Sequence, residues 1–482
     1  MIQIKSRKKA SIFILTLSLV GCGGGSGGSS TPPPVPTPTT YIVSGTVTGL
    51  TSGHQVTLLN NAADPQVLTT NSGFKFDIAV KQNGSYAVTV GTQPFAQTCN
   101  VTNGSGTNVT ANISNVSVVC SNPTAQTLYS FAGPTSDGSN PLGPLTLGSD
   151  GNFYGSTSAG GTTGNGAIYK ISPAGVETLL YSFAGGTSDS SYPTSALTLG
   201  TDGNFYGVTE AGGLPNYGTV YKVTPAGVET VLHAFTGNTT DGQFPIGSLT
   251  LGADGNFYGT TNRGGTNDLG TVFKITPAGV ETILYSFSGG TADGSGAAVS
   301  LTLGKDGNFY GVTSGGGAAG TGTIYKVTPT GTESVLYSFG ADMLNCITSD
   351  DSLVVGADGN FYGMTNCGGS TNNGTVYKIT PAGVQTLLYT FAGGTLDGAM
   401  PDASLTLGTD GNLYGLTSGG GANGKGTIFE ITPAGVESVL YSFADGGANG
   451  PLPRGLTLGS DGSFYGTTLA GGSTLHGSVF KY

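Results

Sequence analysis

The chain has 482 residues, of which 87 are Gly, only 9% are charged and none is Trp. So few charges exclude a charge-driven disordered chain, and Gly and Pro recurring in register with apolar residues point to short strands joined by tight turns. A formal charge of −11 with no basic stripe excludes nucleic acid as a partner.

The N-terminus reads MIQIKSRKK, then ASIFILTLSLVG, then Cys22. A basic segment followed by a short apolar run is a secretory signal, too short to span a bilayer. Leu19, Val20, Gly21 and Cys22 resemble the lipobox of bacterial lipoproteins. That resemblance implies a signal peptide over 1–21, cleavage before Cys22, a diacylglycerol on its thiol and acylation of the new amino group. Several acyl chains would hold the protein on a membrane firmly. Loss of 1–21 removes Lys5, Arg7, Lys8 and Lys9 and no acidic residue, so the remainder is more negative still. Gly23 in place of Asp after the Cys resembles the Gram-negative pattern for outer-membrane delivery; either a periplasmic or a surface-facing orientation fits. Residues 22–40 carry the lipidated Cys and a tether, Gly/Ser-rich and then Pro-rich, reaching about 3 Å per residue in its Pro-rich part.

Residues 41–122 alternate in short segments (YIVSGTV, QVTLL, FKFDIAV, SYAVTV, NVTANI, VSVVC) separated by turn-formers such as Asn83-Gly84 and Asn103-Gly104. This predicts a small antiparallel β-sandwich, loosely similar to immunoglobulin-like or carboxypeptidase-regulatory-like modules. Cys99 and Cys120 fall in its last two strands. In an oxidising compartment they are expected to form a disulfide, the alternative being two buried thiols. His54 falls in a turn-rich stretch and is expected to be solvated.

From residue 123 onward the chain repeats itself. LTLGSDGNFYGST begins at 145, with close copies at 197, 249, 301, 353, 405 and 456. The aromatic of L-Y-S-F stands at Tyr129, Tyr181, His233, Tyr285, Tyr337, Tyr389 and Tyr441, a step of 52. Each copy predicts four strands: LTLG, NFYGVT, GTVYKVT and VETVLHAF in the second. A DG turn joins the first two and a PAG turn the last two. Four antiparallel strands per copy describe a propeller blade better than a solenoid coil. The seventh copy ends at Tyr482 after its third strand, and TAQTLYSF at 124–131 is a spare fourth strand. Pairing them would complete the last sheet and leave no open edge. The predicted fold is therefore all-β, a closed seven-bladed propeller of four-stranded blades over 123–482, preceded by the small sandwich.

The string L-x-L-G-x-D-G-N-F-Y-G-x-T-x-x-G-G, followed by G-T-V-Y-K-x-T-P-A-G-V-E-T-x-L-Y-S-F, resembles the GloVer repeat of bacterial surface-type proteins. The resemblance covers 124–482. It implies an architecture with varied anchoring ends and brings no reaction with it.

The recurring Asp150, Asp202, Asp254, Asp306, Asp358, Asp410 and Asp461 read as turn residues. The loops between second and third strands, and those from a fourth strand to the next first strand, emerge on the opposite face and vary more. There Asp137, Asp189, Asp241, Asp293 and Asp397, with His476, form the candidate ligand face. Two readings stay open: the Asp residues cap their own turns, or they form an acidic ring at the channel that binds a divalent cation. The loop entering copy five, GADMLNCITSDD, contains Cys346, and Cys367 lies in the other loop set of that copy. Topology puts both on one face, so a second disulfide is expected, adding about 2–4 kcal/mol. His233 reads as a packing substitution. No nucleophile–base–acid grouping and no metal spacing stands out.

The function expected is noncatalytic binding or display of a glycan or protein partner, with no cofactor and contact with the membrane through the lipid anchor. One alternative is a metal-dependent lyase or lactonase of the propeller type, for which Glu210 and His476 would have to serve. A purely structural envelope component is the other.

Overall fold

The computed structural model describes residues 38–135, 137–297, 299–340, 352–444 and 452–482. Every regular element among them is a strand, and none of their segments is a helix long and apolar enough to cross a membrane. The signal segment, Cys22 and the tether up to residue 37 lie outside the described residues.

Two four-stranded sheets come from the N-terminal part. Val43–Thr48, Gly73–Lys75, Thr98–Thr102 and Ile113–Ser121 form one; Val56–Asn60, Ala63–Leu68, Tyr86–Thr92 and Ser105–Gly106 form the other. They share a core that includes Val43, Leu58, Phe76, Val116 and Val118, the inward residues of alternating strands. Two expectations need correction. Val43–Thr48 pairs with Ile113–Ser121 in parallel, because strands so far apart in sequence are not joined by a hairpin that would fix their direction. NVTANI is loop up to Ile113, with Asn108 at a φ of 55°; the strands before it are TCNVT and the two-residue Ser105–Gly106. Cys99 and Cys120 stand directly opposite each other and are bridged.

The remaining chain is propeller-like, built of four-stranded antiparallel sheets. In the first copy Thr146–Leu147, Phe153–Thr157, Ala167–Ile171 and Glu177–Ser182 lie side by side in chain order. Among the described residues there are seven such sheets, two of them with a fifth short strand. One sheet departs from chain order: Gln126–Ser130 pairs with Ser478–Lys481, which lies beside Phe464–Thr468 and then Pro453–Leu458.

The repeated thirteen residues have a chemical reason. In copy two Asp202 accepts hydrogen bonds from the Asn204 backbone N–H at 3.1 Å, the Asn204 side chain at 2.7 Å and the Tyr206 hydroxyl at 2.8 Å. Gly203 completes the turn at a φ of 77°, open to Gly without strain. The Tyr206 ring then stacks on Phe257 of the next copy, centroids 4.0 Å apart. Tyr154 on Phe205, Tyr258 on Phe309 and Tyr310 on Phe361 repeat the contact at 4.0 Å. The last Tyr465 lies against the first Phe153 at 4.1 Å. A second chain of contacts runs through the first strands. Thr146 Oγ1 donates to Leu197 O, Thr198 to Leu249 O and Thr250 to Leu301 O, each at 2.5 Å, and Thr457 donates to Leu145 O at 2.5 Å. The string thus builds the turn, the inter-sheet stack and the inner seam at once.

Candidate functional site

Strand order places the variable loops together. Gly138–Ser139, entering the first copy, pairs with Ala159–Gly160, the start of its second-to-third loop. The same pairing joins Gly242–Gln243 to Arg263–Gly264 and Gly294–Ser295 to Gly315–Gly316. At the centre of the repeats lies a cavity of about 150 Å³ lined by Ser195, Ser248, Ser300, Ser352, Ser404 and Asp402 among others. Asp402 is held there by Arg454, 2.6 Å away.

The five loop Asp residues are buried and do not line that cavity. Asp137 Oδ2 accepts from the Tyr129 hydroxyl at 2.8 Å and from Ala132 N–H at 2.6 Å, while Oδ1 accepts from Gly138 N–H at 2.6 Å. Asp189 does the same with Tyr181, Ala184 and Ser190. Asp293 uses Tyr285, Ser288 and Gly294, and Asp397 uses Tyr389, Ala392 and Gly398. In Asp241 a His replaces the Tyr: His233 Nε2 lies 3.3 Å from Oδ1, and Thr236 N–H and Oγ1 each donate to Oδ2 at 2.8 Å. His476 is half-buried at the edge of the first loop, its Nδ1 3.2 Å from Ser139 Oγ. Glu210 is exposed.

Each loop Asp also faces a Glu from the fourth strand of the following copy. Burial first, and then the charge of Asp137, push Glu177 up to about 7, opposed by a hydrogen bond from Tyr129. Glu229 beside Asp189 and Glu333 beside Asp293 are raised to about 7 for the same reasons, and Glu437 beside Asp397 to about 8. The sequence carries the trace of this pairing, although only the geometry makes it readable. At the two loop positions that hold Asn345 and Asn449 instead of Asp, the corresponding fourth-strand positions hold Gln385 and Ala125 instead of Glu.

His54 is corrected from a solvated loop residue to a buried one. It reaches across to the sixth copy, where Glu430 stands in the third-strand position occupied by Lys170, Lys222, Lys274, Lys326, Lys378 and Lys481 elsewhere. Its Nε2 is 2.8 Å from Glu430 Oε2, and its Nδ1 is 3.3 Å from Gln97 Oε1. Phe95 packs edge-on against Tyr414 and Phe464 nearby. Cys367 is disulfide-bonded, and its expected partner Cys346 lies outside the described residues.

Residues 96–305 and 291–480 match the model of the Gloeobacter/Verrucomicrobia repeat, which leaves little of the chain after the N-terminal part uncovered. The chain belongs to the Gloeobacter/Verrucomicrobia repeat family. No curated protein matches it. Among solved structures, this member of the repeat family is similar to one described as the extracellular domain of a hybrid two component system from B. thetaiotaomicron. Identity there is 12% and the TM-score 0.51, covering 86% of this chain and 49% of that one. The chain thus spans about half the length of that structure, and the likeness is one of fold. A periplasmic gluconolactonase from Pseudomonas aeruginosa is similar at 15% identity and a TM-score of 0.41, over 70% of this chain and 94% of that one.

Proposed function

We propose that this repeat-family member is an exported, lipid-anchored envelope protein, attached through Cys22 and a tether over 22–40. In this reading residues 41–122 form a small β-sandwich and 123–482 a closed seven-bladed propeller. The propeller is a noncatalytic scaffold whose variable-loop face binds an extracytoplasmic protein partner.

One observation carries the binding role. One shared position in the fourth-to-first loops has left-handed backbone whatever its residue: Asn140 and Gly296 occupy it in two copies, and Tyr192, Phe244, Met400 and Leu452 in others, at φ between 53° and 61° for these four. Bulky side chains are disfavoured there. Tyr192 and Met400 are nonetheless 50% and 49% exposed, and Leu214, Leu396 and Leu475 in neighbouring loops of the same face are more so. Apolar side chains held outward on strained backbone fit a protein surface rather than turn formation.

The test is in-cell photocrosslinking from residue 192 or 400, with residue 228, at the opposite rim, as control. A discrete adduct with an envelope protein from 192 and 400 but not from 228 is expected. Adducts with polysaccharide alone would replace the protein partner by a glycan, and none from either position would remove the binding role. Radiolabelled fatty acid incorporated into the full chain but not into Cys22→Ser tests the anchor; equal labelling of both would overturn it.

A further inference from the structure

The chain has three His, and two of them each stand with two carboxylates whose ligand atoms all lie within 4.8 Å of one another. The two sets differ in the spacing of their donor atoms. In a tetrahedral zinc site with bonds of about 2.1 Å, neighbouring donors are about 3.4 Å apart. His54 Nε2 hydrogen-bonds Glu430 Oε1 at 2.9 Å and lies 2.8 Å from its Oε2, and Asn412 donates to the same Oε1 at 2.6 Å. That set is a salt bridge. His233 Nε2 stands 3.3 Å from Asp241 Oδ1, a long hydrogen bond that is also close to the donor spacing of a zinc site, with Glu281 the third donor.

We propose that His233, Asp241 and Glu281 form a site for one divalent transition-metal ion of the zinc class. The ion would join the fourth strand of copy two, the loop after it and the fourth strand of copy three. The inference goes beyond the binding face and is independent of it.

The donor set is copy-specific. In four sister positions a Tyr hydroxyl lies between the Asp and its facing Glu, and a neutral phenol that donates its proton to Asp is not a ligand. Only in copy two does an imidazole, a strong ligand for zinc, take its place. Asp241 is also oriented from behind. Its Oδ2 is held by Thr236 and its Oδ1 by Gly242 N–H at 2.7 Å, which leaves the second lone pair of Oδ1 towards His233. Supporting bonds of this kind fix the direction of a metal-ligating carboxylate. Glu281 Oε1 is buried with no hydrogen-bond partner, as are its counterparts in Glu177, Glu229, Glu333 and Glu437, and it is at Glu281 that an imidazole stands close enough to share an ion with it. His233 keeps 22% side-chain exposure, enough for an ion to enter and for water to fill the fourth position. Mixed nitrogen and carboxylate ligation selects zinc-class ions over calcium, which takes oxygen donors.

The sister copies supply the variants. His233→Tyr installs the residue that the other six copies carry, and Glu281→Gln installs that of Gln385 in copy five. Both are compatible with folding in this architecture, and neither should lower the melting temperature measured without metal. Zinc chloride is titrated by calorimetry into the chelator-treated full chain, each of these variants and His54→Gln. The parent and His54→Gln should bind zinc with micromolar or tighter affinity at one site, and both consensus variants should weaken it by about tenfold or more. An unchanged isotherm in His233→Tyr, loss of binding in His54→Gln alone, or no uptake by the parent would overturn the site.

Discussion

His54 of the N-terminal sheets and Glu430 of the sixth repeat meet as a buried ion pair, Nε2 to Oε2 2.8 Å apart. In other copies the residue at the Glu430 position is a Lys, and in two of them it pairs with the turn Asp below it, Lys274 with Asp254 and Lys481 with Asp461, both at 2.8 Å. Reversing that charge in one copy leaves two acidic groups, Asp410 and Glu430, facing each other. Asn412 bonds both, and His54 brings the positive charge. One repeat out of seven is thus marked to receive the N-terminal sheets.

Glu430→Lys restores the repeat consensus but sets a cation against buried His54. It should lower stability by about 3 kcal/mol, the cost of breaking a buried pair, and expose the 122–125 connection to protease. Chemical unfolding and limited proteolysis measure this. A variant as stable and as resistant as the parent would show that the pair does not hold the two parts together.

Stability should peak in mildly acidic solution. Burial opposes the charged form of His54, but the Glu430 carboxylate, with Gln97 and Asp410, raises its pKa above the usual value. The pair therefore contributes fully below about pH 6.5 and is lost as pH rises through the raised value. The half-buried Glu177, Glu229, Glu281 and Glu333, held near 7, and Glu437, near 8, act in the same direction. Unfolded, they release their protons near the model value of 4.5, so stability declines between there and pH 7–8. At the acid end Asp461, whose carboxylate is desolvated but stabilised more strongly by Lys481, is lowered to about 2, and that contribution is lost below the ordinary carboxylate range. Melting temperatures should fall from pH 6 to pH 8.5; a rise would contradict these assignments.

Tyr465→Ala removes the ring that lies on Phe153, and Tyr206→Ala removes an interior equivalent. Each should cost about 3–5 kcal/mol, because both rings are buried between sheets. Near-equality is the informative result. A markedly smaller loss at Tyr465 would mean that the last and first repeats do not pack as interior neighbours do.

Replacing Cys99 and Cys120 together by Ser opens a loop with a sequence separation of 21 and should lower stability by about 3 kcal/mol. The loss should appear in the N-terminal sheets. Hydrogen exchange localises it, and a loss spread equally over the repeats would contradict two separate cores.

Much of this was legible in the residues. A period of 52 and the spare strand at 124–131 announced repeated sheets and a pairing of the chain's ends, because turn residues and alternation recur without drift. The Cys99–Cys120 bridge followed from strand placement. The Asp–Glu pairs were not legible, since their members lie on successive copies and meet only when sheets pack. His54 misled for the same reason: a His among turn residues looks solvated until the surface that covers it is known. The exposed Tyr192 and Met400 were hidden in loops whose left-handed backbone no local pattern revealed.

The central claim is that the first strand of the repeat region completes the last sheet. Native-state hydrogen exchange of the full chain tests it at the amides of Gln126–Ser130 and Ser478–Lys481, paired Gln126 to Lys481 and Ser130 to Ser478. Their hydrogen-bonded amides should exchange as slowly as those of an interior pair such as Thr219–Val223 and Glu229–Ala234, in one cooperative unit. Exchange of Gln126–Ser130 at the rate of a frayed end, while the interior pair stays protected, would contradict the closed ring.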